Sequence, residues 1–249
     1  MQEGRWRHFS LREVGWHKIG ARIVTACLMS NKSEAVWCVI PAAGGGSRMG
    51  AGVPKQYLEL GECCVLERAV RVFDGLADVS GIAVGLAADD AYWKNTGLPG
   101  MNRVHTYKGG RERVHTVLGG LRFLIDSLGA KPRDWVLVHD AARPLVKAED
   151  VKALLGQCRQ NDLGGLLASE LVDTVKRDNG RGAVAVTVER EGLWRALTPQ
   201  CFRLGDLEPA ISSSVRDDLI TTDESNAMER AGHEVLLVRG DRNNLKITH

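Results

Sequence analysis

The sequence predicts an α/β fold, a doubly wound and mainly parallel (Rossmann-like) sheet with a β-hairpin arm inserted in it. Three observations carry that prediction. From residue 35 onward, short apolar runs alternate with longer helical periods, the pattern of strands joined by crossover helices. Runs such as "WVLVH" are apolar at nearly every position, as strands covered on both faces must be. Residues 170–191 alone break the alternation, with two β-rich stretches around "DNGRG".

The elements follow in order. Strands are expected at 35–41, 81–87, 103–107, 135–139, 164–169 and 234–239. A helix over 111–128 places Val114, Val117, Leu118, Leu121, Leu124, Ile125 and Leu128 on one face. Weaker helical periods run over 64–76 and 150–158. The segment 170–191 reads as a hairpin with a type I′-like turn signal. It has no core of its own to lean on, and a second subunit is the natural support.

Composition bounds the rest. The chain has 249 residues, 44% hydrophobic and 26% charged, enough for one large domain with a core that needs no cross-links. A formal net charge of +2 gives no global field for nucleic acid. No apolar run approaches the roughly 20 residues that span a bilayer. None of the six cysteines has C-x-x-C spacing, which favours a reducing compartment over a metal or disulfide framework. Residues 1–34 are set apart as an N-terminal extension, and 35–249 as the folded domain. The extension is basic and carries only a short apolar stretch, a poor signal peptide. An organelle transit peptide, or a start at Met29, remain alternatives.

Ligands of open parallel sheets bind beyond the carboxyl ends of the strands. Three unusual segments fall there: "PAAGGGSRMGAGVPKQ", "GGRERVHTV" and "HDAARP". In the first, glycines after a strand let backbone N–H groups approach phosphate. A dinucleotide fingerprint would run directly into a helix, but Gly50, Gly52 and Pro54 interrupt this one. A Walker Gly-Lys-Ser/Thr is also absent. Arg48 and Lys55 instead supply cations suited to a triphosphate attacked at its α-phosphorus, where charge builds on the leaving pyrophosphate. The plainer alternative is a flexible loop with surface cations. Asp140, ending a strand, is a candidate metal anchor beside phosphates, or else an ordinary turn residue.

"PAAGGGSRMGAGVPKQYLEL", "GGRERVHTVLGGL", "VLVHDAARPLV", "VDTVKR", "LWRALTPQCF", "TDESNAM" and "DRNNLKIT" occur in this order. Together they resemble the 2-C-methyl-D-erythritol 4-phosphate cytidylyltransferase family over residues 35–248. The resemblance implies transfer of CMP from CTP to methylerythritol phosphate, with Mg²⁺ held at Asp140. It implies transition-state cations at Arg48 and Lys55. Nucleotide contacts would come from Ala42, Ala43, Gly44, Gly46, Gly110, Thr116 and Ala141. Acceptor contacts would come from Thr174, Arg190, Thr198, Thr222, Asp223 and Lys246. The arm at 170–191 would make a homodimer, with Thr174 and Arg190 serving the neighbouring subunit's site. Arg111 and His115 depart from the family's pattern, and His139 and Arg143 could as well be structural.

A bacterial cytoplasm is the expected setting, with a plastid as the other possibility. Other expectations are a ribitol 5-phosphate cytidylyltransferase, an NAD-dependent oxidoreductase, or an inactive relative. The last arises because Lys246 lies close to His249, where chain ends fray.

Overall fold

The computed structural model describes residues 34–44, 53–219 and 222–248. Residues 1–33 of the 1–34 extension, together with Gly46 and Arg48, all singled out by the sequence, lie outside the described residues.

In chain order the strands begin with β1 (Val36–Pro41), followed by a 3₁₀ turn at Lys55–Tyr57 and the small pair β2 (Glu59–Leu60) and β3 (Cys63–Cys64). Helix α1 (Val65–Asp74), β4 (Val79–Leu86), β5 (Val104–Lys108), α2 (Arg113–Leu128), β6 (Trp135–Val138), α3 (Ala148–Asn161) and β7 (Gly164–Glu170) follow. Then come β8 (Val175–Asp178), β9 (Val184–Val188), β10 (Trp194–Arg203), α4 (Leu204–Arg216), α5 (Glu224–Arg230) and β11 (Val235–Arg239). The seven-stranded sheet has the order β11-β7-β10-β6-β1-β4-β5. Only β10 runs antiparallel to its neighbours, β6 and β7.

Alternate side chains along the strands go to opposite faces, and each face has its own core. Cys38, Ile40, Ile82, Val84 and Leu137 pack with Leu66, Val70 and Phe73 of α1 and with Leu154 and Cys158 of α3. Val39, Ala83, Val136 and Val138 pack with α2, α4 and α5 through Leu121, Leu124, Leu207, Ile211 and Met228. Each such buried aliphatic side chain contributes about 1.5–3 kcal/mol. The helix stops are local: Gly129 (φ 72°) ends α2 and Asp162 (φ 51°) ends α3, both left-handed. The α2 stripe is narrower than its sequence period, since Ile125 is 41% exposed.

Strand β10 has no counterpart in the sequence reading, and its own residues explain why. Pro199 argues against a central strand. The structure absorbs it in a bulge: Ala196 pairs with Ala168 and Gln200 with Leu166, so three intervening residues of β10 face one of β7. The Thr198–Pro199 peptide bond in that bulge is cis. Helices α4 and α5 also lacked a sequence assignment; Pro209 lies inside α4.

The hairpin arm is present, with β8 and β9 pairing Val175↔Val188 through Asp178↔Val184. Its turn differs from the expected type I′. Asn179 N–H bonds to the Ala183 carbonyl, enclosing three residues, of which Gly180 (φ 81°) and Gly182 (φ 76°) are left-handed. Asp178 and Asn179 side chains, accepting from backbone N–H groups across the turn, favour this wider loop. Among the described residues no helix is long and apolar enough to cross a membrane. Cys38, Cys158 and Cys201 are buried, Cys63 and Cys64 half-buried, and all five are free thiols.

Two glycines in neighbouring elements should respond oppositely to alanine. A Cβ on Gly164 would lie 2.1 Å from Cδ1 of buried Phe202, so Gly164→Ala should cost about 1–3 kcal/mol of stability. Gly156 in α3 has nothing within 4 Å of such a Cβ, so Gly156→Ala should stabilise by up to about 1 kcal/mol. Urea unfolding of the two variants measures both.

Candidate active site

Because six of the seven strands are parallel, their carboxyl ends share one edge of the sheet. Residues 42–44 follow β1, Gly109 and Gly110 follow β5, Asp140 follows β6, and residues 240–246 follow β11. The β10 bulge brings Thr198 to the same edge, where Gln200 pairs with Val138 of β6.

Asp140 organises this edge. Its Oδ1 accepts from Arg113 Nε at 2.9 Å, and its Oδ2 from Arg143 Nε at 3.3 Å. Lys246 Nζ lies 2.9 Å from the same Oδ2. Arg113 also grips Glu224, at the start of α5, with both terminal nitrogens at 2.5 and 3.1 Å. Glu224 is only 1% exposed. Burial alone would raise the Asp140 pKa, but the charges of Arg113, Lys246 and Arg143 outweigh it and hold the carboxyl well below the usual range. Burial likewise opposes the Arg113 charge, yet Glu224 and Asp140 raise its pKa. Three cations face two carboxylates, so the cluster favours an anionic ligand.

His139 and Thr198 form a polar relay beneath the cluster. His139 Nε2 lies 3.1 Å from the Arg143 carbonyl, which can only accept, so Nε2 carries the proton. Burial lowers the imidazole pKa to about 4, leaving it neutral. Its Nδ1, 3.0 Å from Thr198 Oγ1, therefore accepts the threonine proton. Thr198 Oγ1 in turn accepts from the Asp140 N–H at 3.1 Å. With its proton committed to His139, Thr198 can only accept from a further partner.

The C-terminal segment is fastened to this edge. The Asn244 carbonyl accepts from Arg143 Nη1 at 2.7 Å, Asn244 Nδ2 donates to the Thr198 carbonyl at 2.7 Å, and Ile247 N donates to Ala142 O at 2.9 Å. The fraying expected at Lys246 is therefore not what the structure shows. Flanking hydrogen bonds and the Asp140 ion pair hold it.

Of the residues expected to contact the nucleotide, Ala42, Ala43, Gly44, Gly110 and Thr116 lie at the ends of β1 and β5. Ala42 N donates to Gly85 O at 2.8 Å, and its carbonyl accepts from Gln56 Nε2 at 2.8 Å. Ala43 packs so closely on Gly109 that a Cβ there would sit 2.3 Å from the Ala43 Cβ. Gly110 N donates to Thr116 Oγ1 at 3.0 Å, and that hydroxyl also contacts the Glu112 carbonyl at 3.1 Å. The Gly110–Thr116 turn is thus closed internally, with Thr116 2% exposed. Gly44 is exposed, Ala141 buried and Lys55 half-buried.

The residues expected to contact the acceptor divide into three sets. Thr198 and Lys246 join the Asp140 cluster. Asp223 caps α5, accepting from Asn226 N and Ser225 Oγ at 3.0 Å each, and from Gln200 Nε2 at 2.9 Å. Thr222, beside it, is exposed. Thr174 and Arg190 sit on the exposed arm, where Arg190 Nη1 bonds to the Val172 carbonyl within the arm's own base. Neither makes a hydrogen bond or ion pair with the Asp140 cluster. Glu224 escaped sequence reasoning, although it stands inside the quoted "TDESNAM"; its role depends on Arg113, 111 residues earlier.

Among the described residues no group of three or more His, Cys, Asp and Glu could hold a metal ion. Asp140 alone fits a limited version of that role. A carboxylate offers about four lone-pair sites, and three are engaged, leaving one on Oδ1 for a cation whose other ligands are phosphate oxygens.

Removing the Asp140 charge should show how far the cluster depends on it. Asp140→Asn strips a buried charge from its cationic partners and should cost about 3–5 kcal/mol at neutral pH. Since the folded pKa is depressed, the Asp140 contribution is complete above the unfolded value of about 4 and fades as pH falls below it. Denaturant titrations from pH 7 to 3 should show a constant gap between the two proteins down to about pH 4 and the start of its narrowing below that.

Comparisons with known proteins show what the chain is similar to. The family profile described as 2-C-methyl-D-erythritol 4-phosphate cytidylyltransferase matches residues 36–249. A curated protein of that name from Pseudomonas putida (strain GB-1) is 44% identical over 220 residues, covering 88% of this chain and 93% of its own. A crystal structure described as 4-diphosphocytidyl-2C-methyl-D-erythritol synthase superposes with a TM-score of 0.75 at 35% identity, covering 87% of this chain and 93% of the other. The Francisella tularensis 2-C-methyl-D-erythritol 4-phosphate cytidylyltransferase gives 0.74 at 32% identity, covering 86% and 94%. This similarity along nearly the whole described chain leads to one statement of kinship: the chain belongs to the 2-C-methyl-D-erythritol 4-phosphate cytidylyltransferase family.

Proposed function

We propose that this chain transfers CMP from CTP to 2-C-methyl-D-erythritol 4-phosphate, releasing pyrophosphate and forming 4-diphosphocytidyl-2-C-methyl-D-erythritol for isoprenoid biosynthesis. The observation that carries the proposal is the set of three cations gathered at Asp140 on the edge where α/β sheets bind ligands. A phosphate oxygen of the acceptor attacks the α-phosphorus of CTP in line. That phosphate is already ionised near neutral pH, so the step needs positioning and charge rather than a general base.

Lys55 and Arg48 take the transition-state charge on the triphosphate. Lys246 and Arg143 receive the acceptor phosphate, and Thr198 accepts from an acceptor hydroxyl rather than donating to phosphate. Thr222 and the cap residue Asp223 border that pocket. Residues 42–44 and Gly46, with Gly110, Thr116 and Ala141, line the nucleotide side. Mg²⁺, held by Asp140 and the triphosphate, would neutralise charge on the leaving pyrophosphate. The setting is a bacterial cytoplasm.

The arm at 170–191 joins two copies of the chain, and its Thr174 and Arg190 complete the partner's acceptor pocket. Exposed apolar side chains support this: Val172, Val184 and Val186 are 59%, 61% and 50% exposed, on a two-stranded sheet too small to be stable alone.

Pyrophosphate release from CTP and Mg²⁺ should require methylerythritol phosphate and fail with ribitol 5-phosphate. Lys55→Ala should lower kcat about 10²–10³-fold. Release with ribitol 5-phosphate alone would transfer the assignment to that acceptor. For the arm, Arg190→Ala should raise the acceptor KM about 10–100-fold, the worth of a charged hydrogen bond, with CTP binding unchanged. Paired Val184→Asp and Val186→Asp should turn a dimer into a monomer in sedimentation and raise the same KM.

A further inference from the structure

The turn carrying Lys55 is fastened to the sheet by its next two residues. Gln56 is 4% exposed, and its amide nitrogen donates to the Ala42 carbonyl at 2.8 Å and the Gly44 carbonyl at 3.1 Å. Those carbonyls continue directly from β1, and Ala42 N is itself bonded to Gly85 of β4 at 2.8 Å. The first fastening therefore ties the turn to two neighbouring parallel strands, β1 and β4. Tyr57, 7% exposed, supplies the second. Its hydroxyl donates to Asp90 Oδ2 at 2.7 Å, and its ring stacks on Tyr92 at 5.3 Å. Asp90 is held by the N–H groups of Tyr92 and Trp93 at 3.0 and 2.9 Å. Burial, and then the Asp90 hydrogen bond, raise the Tyr57 pKa, so the hydroxyl stays a donor.

The chemistry asks for an amide at position 56. Two carbonyl oxygens need two N–H donors from one uncharged group, which a glutamine NH₂ supplies. A carboxylate would only accept, and would face the carbonyls with like partial charge. A methionine would fill the space and leave them without these donors. A core residue chosen for packing alone would not need this donor pair.

We propose that Gln56 is a positioning residue for nucleotidyl transfer: by pinning the Lys55–Tyr57 turn to the end of β1, with Tyr57 and Asp90 as the second point, it sets where the Lys55 ammonium stands. This rests on the transition-state role proposed for Lys55. An ammonium misplaced by about 1 Å can cost on the order of 10²-fold in rate, while acceptor binding at the Asp140 cluster is untouched.

The test is a double-mutant cycle on the full chain, with kcat, both KM values and thermal unfolding measured. Gln56→Met should lower kcat about 10–100-fold and leave the acceptor KM unchanged. Placed on Lys55→Ala, it should change kcat by less than about twofold, because its effect passes through a side chain no longer there. Tyr57→Phe, which keeps the ring, should show a smaller loss with the same non-additivity, and decides the matter if Gln56→Met fails to fold. Wild-type kcat in the folded variants, or equal losses with and without Lys55, overturns the positioning role alone. An undiminished kcat in Lys55→Ala overturns the Lys55 assignment and this inference with it.

Discussion

The Asp140 carboxylate is the constraint around which the carboxyl-end edge of the sheet is built. It joins residues from three parts of the chain: its own loop after β6, which also carries Arg143, the start of α2 through Arg113, and the C-terminal segment through Lys246. A buried carboxylate without partners would protonate or destabilise the fold. Here the surrounding cations make ionisation favourable, and the fixed carboxylate makes their mutual closeness tolerable. Glu224 extends the arrangement to α5, so the helices flanking one sheet face are linked to the ligand edge by charge as well as by packing.

This arrangement suits a reaction with little covalent work for the protein to do. Phosphoryl chemistry is accelerated chiefly by groups already in place when charge develops. The cations at Asp140 are held before any ligand arrives, and so is the turn bearing Lys55. The neutral His139 adds a subtler form of preparation, because it fixes the direction of the Thr198 hydroxyl. A site that has settled its hydrogen-bond directions discriminates between donors and acceptors without moving.

Much of the fold was legible because its signals are local. Continuous apolar runs marked the parallel strands, and the 3.6-residue period marked α2. Strand β10 was not, since Pro199 contradicts a strand unless a bulge absorbs it, and a bulge depends on the partner strand. The site divides the same way. Asp140 carried a local cue in "HDAARP", Lys246 was implied only by the resemblance of "DRNNLKIT", and the structure places them in contact. Glu224 and the donor work of Gln56 could not be read, because each matters only through residues distant in sequence. Asp223 shows the converse: a polar residue in a functional motif whose visible bonds all serve a helix cap and a neighbouring strand.

The pairing of Glu170 with Trp194 across β7 and β10 bears on how such a protein can change over time. The excursion carrying β8 and β9 leaves and rejoins the sheet at directly opposed positions, so its two ends are held together whatever lies between them. The sheet does not register the length or composition of that excursion. Descendants of this chain can therefore lengthen, recharge or exchange the arm while the sheet and the loops at its carboxyl ends stay as they are, and whatever the arm touches can change at a pace of its own.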